Sequence, residues 1–124
     1  MQRIMLRAKI HRAIVTDADV NYEGSIAIDE KLMELTGILE FEQVQIYDID
    51  NGNRFVTYAI KAPARSGTIS VNGAAARKVG IGDRIIIASY AVMEEQKAKI
   101  IEPKIIYVKT DNKTFSTNIK ADLN

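Results

Sequence analysis

The chain begins with a segment in which apolar and polar side chains alternate. Within residues 3–12, RIMLRAKIHR, the apolar positions on one face are Ile4, Leu6, Ala8 and Ile10. A period of two predicts a half-buried strand. The next segment, AIVTDADV, continues extended and predicts a turn at 17–19. Residues 26–28 then predict a short second strand.

A short helix and a hairpin follow. Asp29 has the side chain of an N-cap for EKLMELT, and Gly37 is a natural C-terminal stop. The runs EQVQIYDID and RFVTYAIKA are rich in β-forming residues and flank Asn51-Gly52. A tight turn between strands requires positive φ, which Asn-Gly adopts easily, so this pattern predicts a β-hairpin.

The second half of the chain continues the β-rich pattern. It predicts a strand and turn in TISVNG, a short helical turn in the alanines that follow, a strong strand at 84–90, one or two helical turns in 93–99, and a last strand in PKIIYVKT. Residues 110–124 form a polar tail that we expect to pack poorly. About seven strands with short helices predict a mainly β, barrel-like single domain spanning 1–124, whose strand order the pattern leaves open.

Composition narrows the chemistry. The 124 residues include no cysteine, which excludes disulfides, thiol nucleophiles and cysteine zinc sites. The net charge is +1, and aromatic residues make up 6% without tryptophan, so we expect no nucleic acid partner. No apolar run approaches ~20 residues, so we expect no membrane span. These features are typical of a cytoplasmic globular protein.

His11 is the only histidine, and it lies two residues after Lys9 on the polar face of the first strand. A metal site would need partner ligands, and no such cluster is evident in the sequence, so we expect no metal. By itself His11 is typical of a partly exposed strand residue, but Lys9 and His11 project to the same side.

A second group of polar residues lies in NRFVTYAI, where Arg54, Thr57 and Tyr58 fall within five positions. Arginine can bind a carboxylate through two donors, and tyrosine can donate a proton. Alternation places Thr57 on the opposite face from the other two, so a shared site would need a bulge. The alternative is an exposed edge strand.

The glycine-rich segment VNGAAARKVGIGD lacks the pattern of a phosphate-binding loop. Its Asn72-Gly73 is typical of a turn. A functional interpretation is also available, since the small residues Gly73, Ala74 and Ala75 can present backbone N–H groups to a bound carboxylate.

Gly24-Ser25, in NYEGSIAID, is also an ordinary turn sequence with a chemical alternative. A serine hydroxyl can attack the carbonyl of the preceding residue, converting the amide to an ester, and glycine tolerates the strained backbone that this requires. Elimination and hydrolysis would then leave a pyruvoyl group at position 25. Its carbonyl can form a Schiff base with an amine and serve as an electron sink.

Several motifs together resemble the pyruvoyl-dependent aspartate 1-decarboxylases. They are KIHRA and YEGS in the first 25 residues, NGNRF and TYAI in 51–60, ISVNGAAA in 69–76 and VGIGDRIIIASY in 79–90. The resemblance extends from about residue 1 to about 108, and the polar tail carries no family motif.

The resemblance implies a double-psi β-barrel that cleaves itself into a β chain, 1–24, and an α chain, 25–124. It implies a cytoplasmic homotetramer that converts L-aspartate to β-alanine and CO₂ for pantothenate and coenzyme A synthesis. Ser25 would supply the pyruvoyl group and carry the Schiff base, Tyr58 would donate a proton, and Thr57 would support cleavage and contact substrate.

The resemblance also assigns substrate contacts to Gly73, Ala74 and Ala75. Lys9 and Arg54 are suitable cations for the two carboxylates of aspartate, and which cation holds which carboxylate stays open. Supporting positions would be His11, Tyr22 and Asn72.

Besides the self-processing decarboxylase, two other interpretations remain at this point. A small β-barrel of this size can be a non-catalytic binding or assembly module, with Gly24-Ser25 as a plain turn. A third possibility is a zymogen that needs an unknown partner to mature.

Overall fold

A computed structural model describes residues 1–119 as nine strands with short helical segments between them. The strands are β1 (Gln2–Ile14), β2 (Asp17–Asp19), β3 (Ser25–Asp29), β4 (Gln43–Asp48), β5 (Arg54–Ala62), β6 (Ile69–Asn72), β7 (Arg84–Glu94), β8 (Lys104–Val108) and β9 (Phe115–Thr117). The helices are α1 (Glu30–Thr36) and α2 (Glu95–Ala98), and a 3₁₀ segment spans Gly73–Lys78. The expectation of a mainly β single domain with short helices is confirmed.

All nine strands belong to one hydrogen-bonded sheet in the order β2-β6-β3-β5-β4-β7-β1-β8-β9. Three neighbouring pairs are parallel, namely β1–β8, β2–β6 and β3–β5, and the other pairs are antiparallel. Strands that are distant in sequence therefore become neighbours, as β3 and β5 do. This mixed order places the start of β3 between β5 and β6.

The core consists mainly of β-branched side chains from alternate strand positions. Fully buried examples are Ile10, Ile26, Ile28, Ile46, Ile69, Val71, Ile85, Ile87 and Ile106. Branched side chains lose little freedom on a pleated surface and pack well against cross-strand neighbours. Because the inward positions fill the core, the intervening residues of β1, β4, β5 and β7 face outward.

The predicted start and end of α1 are confirmed. The Asp29 carboxylate accepts a hydrogen bond from the backbone N–H of Lys31 at 2.9 Å, and Gly37 ends the helix with φ +74°. Asp29 also accepts from the backbone N–H groups of Arg65 and Gly67, each at 2.9 Å. The buried carboxylate therefore fixes both the helix start and the loop before β6.

The predicted hairpin is confirmed as β4–β5, with Gly52 at φ +79°. Within its turn, one oxygen of the buried Asp48 carboxylate accepts from the N–H groups of Asp50 and Asn51, at 2.8 and 3.1 Å. The turn directly precedes Arg54 and thereby fixes where β5 begins.

Two expectations for the N-terminal region are wrong. Residues 17–19 are not a turn, because β2 pairs in parallel with β6 and the chain turns only afterwards. Ile4 is 74% exposed, so it does not share the core face with Ala8 and Ile10. The first residues of β1 extend past the core, and a β-bulge between Leu6 and Ala8 interrupts the alternation.

The expectation of a poorly packed tail is wrong for residues 110–119. Strand β9 pairs with β8, and the buried Asn112 side chain donates to the carbonyls of Ile14 and Gly67, at 2.8 and 2.9 Å. Residues 120–124 lie outside the described part of the chain. A polar composition concealed this packing because the contacts are hydrogen bonds to distant backbone groups.

The helical turns expected in 93–99 are confirmed in part. Only Glu95–Ala98 are helical, since β7 continues to Glu94. None of the helices in residues 1–119 is long and apolar enough to cross a membrane.

Candidate active site

Ser25 is the first residue of β3 and is only 1% exposed. It pairs with Asn72, the last residue of β6, whose Nδ2 donates to Ser25 Oγ at 3.0 Å. Ser25 Oγ in turn donates to the carbonyl of Glu23 at 3.4 Å. The Asn72 amide oxygen accepts from Ser70 Oγ at 3.1 Å, which fixes the orientation of the amide. The hydroxyl beside the Gly24–Ser25 bond is therefore held in place on both sides.

Gly73 lies directly against this bond with φ +72°. A Cβ at position 73 would stand 2.6 Å from Gly24 Cα, closer than real Cβ atoms approach other atoms, and 3.1 Å from the Tyr22 carbonyl oxygen, which is also a tight contact. Both the dihedral angle and the contact therefore require glycine. Gly24, Ser25, Asn72 and Gly73 are called the junction below.

Strand β5 places Tyr58 next to the junction. In the parallel pairing of β3 with β5, Ile26 lies opposite Ala59. Continuing this register back by one residue on both strands puts Ser25 beside Tyr58. Thr57 comes immediately before Tyr58 and faces the other side of the strand. Tyr58 is 36% exposed, so its phenol is open to solvent although its strand position adjoins a buried serine.

The remaining predicted residues lie on the outward side of β5, β4, β7 and β1. Cross-strand pairing aligns Arg54 with Tyr47, Tyr47 with Ile86, and Ile86 with His11. Lys9 lies in the next row, opposite Ala88. This surface, formed by Lys9, His11, Tyr47, Arg54 and Tyr58, is called the outer face below.

The outer face separates the two cations. Lys9 and Arg54 are three strand spacings apart, about 14 Å along the sheet, and Lys9 is four spacings from Ser25, about 19 Å. Arg54 is four residues before Tyr58 on β5, about 13 Å along the strand. The structure thus brings Ser25, Asn72, Gly73 and Tyr58 together, whereas Thr57 faces the other side of β5, without the bulge that a shared site would need. Lys9, His11 and Arg54 lie in other rows of the sheet.

Arg54 stacks on an aromatic ring. Its guanidinium carbon lies 3.8 Å from the centroid of the Tyr47 ring. The Tyr47 hydroxyl is 2.8 Å from the Tyr90 hydroxyl and 3.0 Å from Gln45 Oε1. The hydrogen bond to Tyr47 and burial raise the pKa of Tyr90 above its usual value. Sequence reasoning missed Tyr47 and Tyr90, although the alternation of β4 could have indicated that Tyr47 faces outward.

His11 lies near neither the junction nor Arg54. Its ring meets the Tyr107 ring edge-on at 5.6 Å between centroids. Burial, followed by the positive charges of Lys9 and Arg12, lowers the pKa of His11. Both influences favour the neutral imidazole, and its buried Nδ1 has no hydrogen-bond partner within residues 1–119.

The other predicted residues lie at the edge of the junction. Gly73, Ala74 and Ala75 begin the 3₁₀ segment, with Ala74 exposed and Ala75 half-buried. Tyr22 is exposed, and its carbonyl lies against Gly73. The junction thus opens to solvent on the side where the small residues lie.

The structure also assembles an acidic group that the sequence did not reveal. Carboxylate oxygens of Asp48, Asp50 and Asp83 lie within 4.8 Å of one another. Asp50 forms an ion pair with Arg84 at 2.7 Å. Burial, followed by the neighbouring Asp83 carboxyl, raises the pKa of Asp48 to about 6. Asp48 ends β4, Asp50 lies in the turn after it and Asp83 directly precedes β7, so none of the three belongs to the junction.

Comparisons with known proteins agree over almost the whole chain. The model of the aspartate decarboxylase family matches residues 1–115. The aspartate 1-decarboxylase of Thermoanaerobacter pseudethanolicus is 58% identical over 113 residues, covering 91% of this chain and 97% of that protein. Those of Stenotrophomonas maltophilia and Xanthomonas campestris are each 56% identical over 118 residues, covering 95% of this chain and 94% of each relative.

These findings first define the class, a small, mainly β lyase. More narrowly, the chain belongs to the aspartate decarboxylase family. Membership makes it an enzyme with aspartate 1-decarboxylase activity that acts in pantothenate biosynthesis, as the sequence resemblance implied. The non-catalytic binding module is therefore the wrong alternative.

Proposed function

We propose that the protein decarboxylates L-aspartate to β-alanine and CO₂ with a pyruvoyl group that it makes from its own Ser25. The observation that carries this proposal is the buried Ser25 hydroxyl, which Asn72 holds at 3.0 Å beside a bond against which only glycine fits at position 73. A hydroxyl with a fixed direction loses little freedom when it reacts with an adjacent carbonyl.

The proposed maturation starts when Ser25 Oγ attacks the Gly24 carbonyl carbon and the peptide C–N bond breaks, giving an ester and a free amine. Elimination then releases the Gly24 carboxylate and leaves a dehydroalanine. Water hydrolyses this residue with loss of ammonia, which gives chains 1–24 and 25–124. We assign Thr57, which precedes Tyr58 on β5, a supporting role in this step although its side chain faces the other side of the strand.

The residues at the junction fit the group that would form there. The Asn72 amide donates toward position 25, and an oxygen on the mature group can accept the same hydrogen bond. Such a group would supply an electrophilic carbonyl for the substrate amine and an electron sink for the decarboxylation. We assign to Tyr58 the delivery of the proton that replaces the carboxyl group, and the β3–β5 register, in which Ile26 pairs with Ala59, supports this assignment.

Substrate contacts divide between the edge of the junction and the outer face. The N–H groups of Gly73, Ala74 and Ala75 face the substrate beside position 25, and Tyr22 borders the same opening. Arg54 or Lys9 holds the β-carboxylate, because tight binding of the departing carboxylate would stabilise the ground state. His11 supports Lys9 from the adjacent row.

We further propose a cytoplasmic homotetramer in which one copy completes the site of another. Lys9 is about 19 Å along the sheet from Ser25 of its own chain. Strands β5 and β7 also expose apolar side chains, namely Val56, Tyr58 and Val92. Exposed apolar side chains on one sheet face are typical of an interaction surface.

The proposed architecture is the double-psi β-barrel of the family. Two hydrogen bonds support it, since Thr16 N–H donates to the Ile69 carbonyl at 2.8 Å and Ile69 N–H donates to Thr16 Oγ1 at 2.9 Å. They extend the β2–β6 pairing by one residue. Because only Val15 and Thr16 separate β1 from β2, the chain joins strands near opposite ends of the strand order. The pyruvoyl route itself needs no metal.

Intact-mass spectrometry tests the proposal. The purified protein should convert from one chain of 13.8 kDa to two chains of 24 and 100 residues, and its new N-terminus should react with a hydrazine. The variant Ser25→Ala should remain one chain and form no β-alanine. An unmodified single chain that still decarboxylates aspartate would refute the proposal. Maturation only in a cell lysate would indicate a zymogen that needs a partner.

A further inference from the structure

We infer that Tyr47 and Tyr90 are positioning residues that hold Arg54 for the side-chain carboxylate of aspartate and thereby select aspartate over longer amino acids. The inference deepens the proposed function and rests on its assignment of Arg54 to the substrate. Tyr47 would act through Arg54, and Tyr90 would act through Tyr47.

The starting observation is that Arg54 is held by a ring instead of a carboxylate. Its guanidinium carbon is 3.8 Å from the Tyr47 ring centroid, and within residues 1–119 it forms no ion pair. Arg7 differs, since it is paired with Glu42 at 2.7 Å. Arg84 differs likewise, since it is paired with Asp50.

This difference matters for binding an anion. A carboxylate partner would neutralise the guanidinium and occupy two of its donors. A ring face orients the cation by electrostatic attraction while leaving the in-plane N–H groups available. Arg54 thus keeps the fork of donors that binds a second carboxylate through two parallel hydrogen bonds.

The ring is held in turn by a directed chain of hydrogen bonds. Gln45 Oε1 can only accept, so the Tyr47 hydroxyl donates to it at 3.0 Å. The Tyr47 hydroxyl has a single proton, so the Tyr90 hydroxyl donates to Tyr47 across 2.8 Å. The chain runs from Tyr90 on β7 to Tyr47 and Gln45 on β4, and it fixes the ring beneath Arg54.

A fixed guanidinium selects substrate length. Aspartate and glutamate differ by one methylene, and a cation at a set distance from the amine-binding position accommodates one of the two chains better. A mobile arginine would follow either carboxylate. Substitution of either tyrosine should therefore change the preference of the enzyme for aspartate over glutamate, in addition to its affinity for aspartate.

The experiment compares steady-state kinetics of matured variants with L-aspartate and L-glutamate. Tyr47→Leu should raise KM for aspartate about 3- to 30-fold, leave kcat within about 2-fold and lower the preference for aspartate over glutamate. Tyr90→Phe keeps both rings and removes one hydrogen bond, so its KM should rise about 2- to 10-fold. Tyr107→Phe removes a hydroxyl that makes no hydrogen bond within residues 1–119, and it should match the parent protein.

A double-mutant cycle separates this inference from the proposed function. On an Arg54→Ala background, Tyr47→Leu should have no further effect on KM. If Arg54→Ala leaves KM for aspartate unchanged, the assignment of Arg54 to the substrate is wrong. If Arg54→Ala raises KM while neither Tyr47→Leu nor Tyr90→Phe does, the positioning inference alone is wrong. Because Tyr90→Phe conserves the ring, it gives an answer even where Tyr47→Leu fails to fold.

Discussion

The junction and the outer face differ in two ways, namely how deeply their polar groups are buried and whether one chain brings those groups together. At the junction, Ser25 and Asn72 are buried, their polar groups are paired, and Gly73 contacts the backbone of Gly24. On the outer face, Arg54 is exposed, and Lys9 lies about 14 Å from it along the sheet. A chain that acts on its own backbone can bury the reacting groups in one copy. Groups that bind a substrate from solvent must stay accessible.

The largest effect should come from filling the space at the junction. Gly73→Ala should abolish maturation, because its Cβ would lie 2.6 Å from Gly24 Cα and the residue has φ +72°. Intact mass after prolonged incubation measures this. Gly52→Ala is the matched control, since Gly52 has φ +79° but a Cβ there would contact nothing within 4 Å. It should lose about 1 kcal/mol of stability and still mature. Equal maturation of the two variants would show that the contact with Gly24 is unimportant.

Tyr58 lies on the border between the two regions. Tyr58→Phe should still mature but decarboxylate about 100-fold more slowly, because the proton donor is lost while the ring remains. The measurement is kcat for β-alanine formation on protein whose cleavage is complete by mass. Full activity would contradict the proton-donor role, and failure to mature would assign the phenol to the junction instead.

Mixing an impaired copy with an inactive one tests whether the outer face completes a neighbour's junction. Lys9→Ala should lower kcat/KM about 10- to 100-fold by removing a charged hydrogen bond, and Ser25→Ala should be inactive. Co-expressed with different tags and purified through both, the pair should exceed the activity of Lys9→Ala alone. Activity no higher than expected from the Lys9→Ala copies would mean that Lys9 does not act across copies.

The smallest expected effect is a change in stability at the β4–β5 turn, which connects the two regions. Asn51 and Asn53, in the turn before Arg54, both donate to the Lys78 carbonyl at 2.9 Å, and Lys78 ends the segment that starts at Gly73. Beneath that turn Asp48 is 3% exposed, and its pKa is raised to about 6 by burial and then by Asp83.

The sign of the pH effect follows from this raised pKa. The folded protein binds the Asp48 proton more tightly than the unfolded chain does. The stability that the protonated Asp48 carboxyl contributes is therefore complete below pH about 4 and is lost as the pH rises through about 6. Asp48→Asn should therefore raise the free energy of unfolding at pH 7.5 by about 1–3 kcal/mol, with little change at pH 4. Denaturant unfolding at both values measures this, and an equal change at both would refute it.

Asp111 provides a control of opposite sign. Hydrogen bonds from the N–H groups of Thr114 and Lys113 lower the pKa of Asp111 to about 2. Its stabilisation is present above pH about 4 and is lost as the pH falls toward 2. Asp111→Asn should therefore destabilise the protein at neutral pH and have a smaller effect in acid.

Local pattern predicted the features that depend on neighbouring residues. The Asp29 cap, the Gly37 stop and the Asn51-Gly52 hairpin are properties of short segments, and the structure has all three. Two expectations, the turn at 17–19 and the loose tail, were wrong because distant partners outweigh local preference. Residues 17–19 pair with β6, and Asn112 in the tail donates to the Ile14 carbonyl. Strand pairing over long separations leaves no local signature.

The sequence by itself determined the mainly β class, the absence of thiol chemistry and, through its motifs, the family and the reactive Gly24-Ser25. Only the tertiary structure decided that Asn72 meets the Ser25 hydroxyl, that Gly73 has no room for a side chain, and that Arg54 stacks on Tyr47. The physical reason is that a residue's chemistry is set by its covalent identity, whereas its burial, orientation and partners depend on which distant strands become its neighbours.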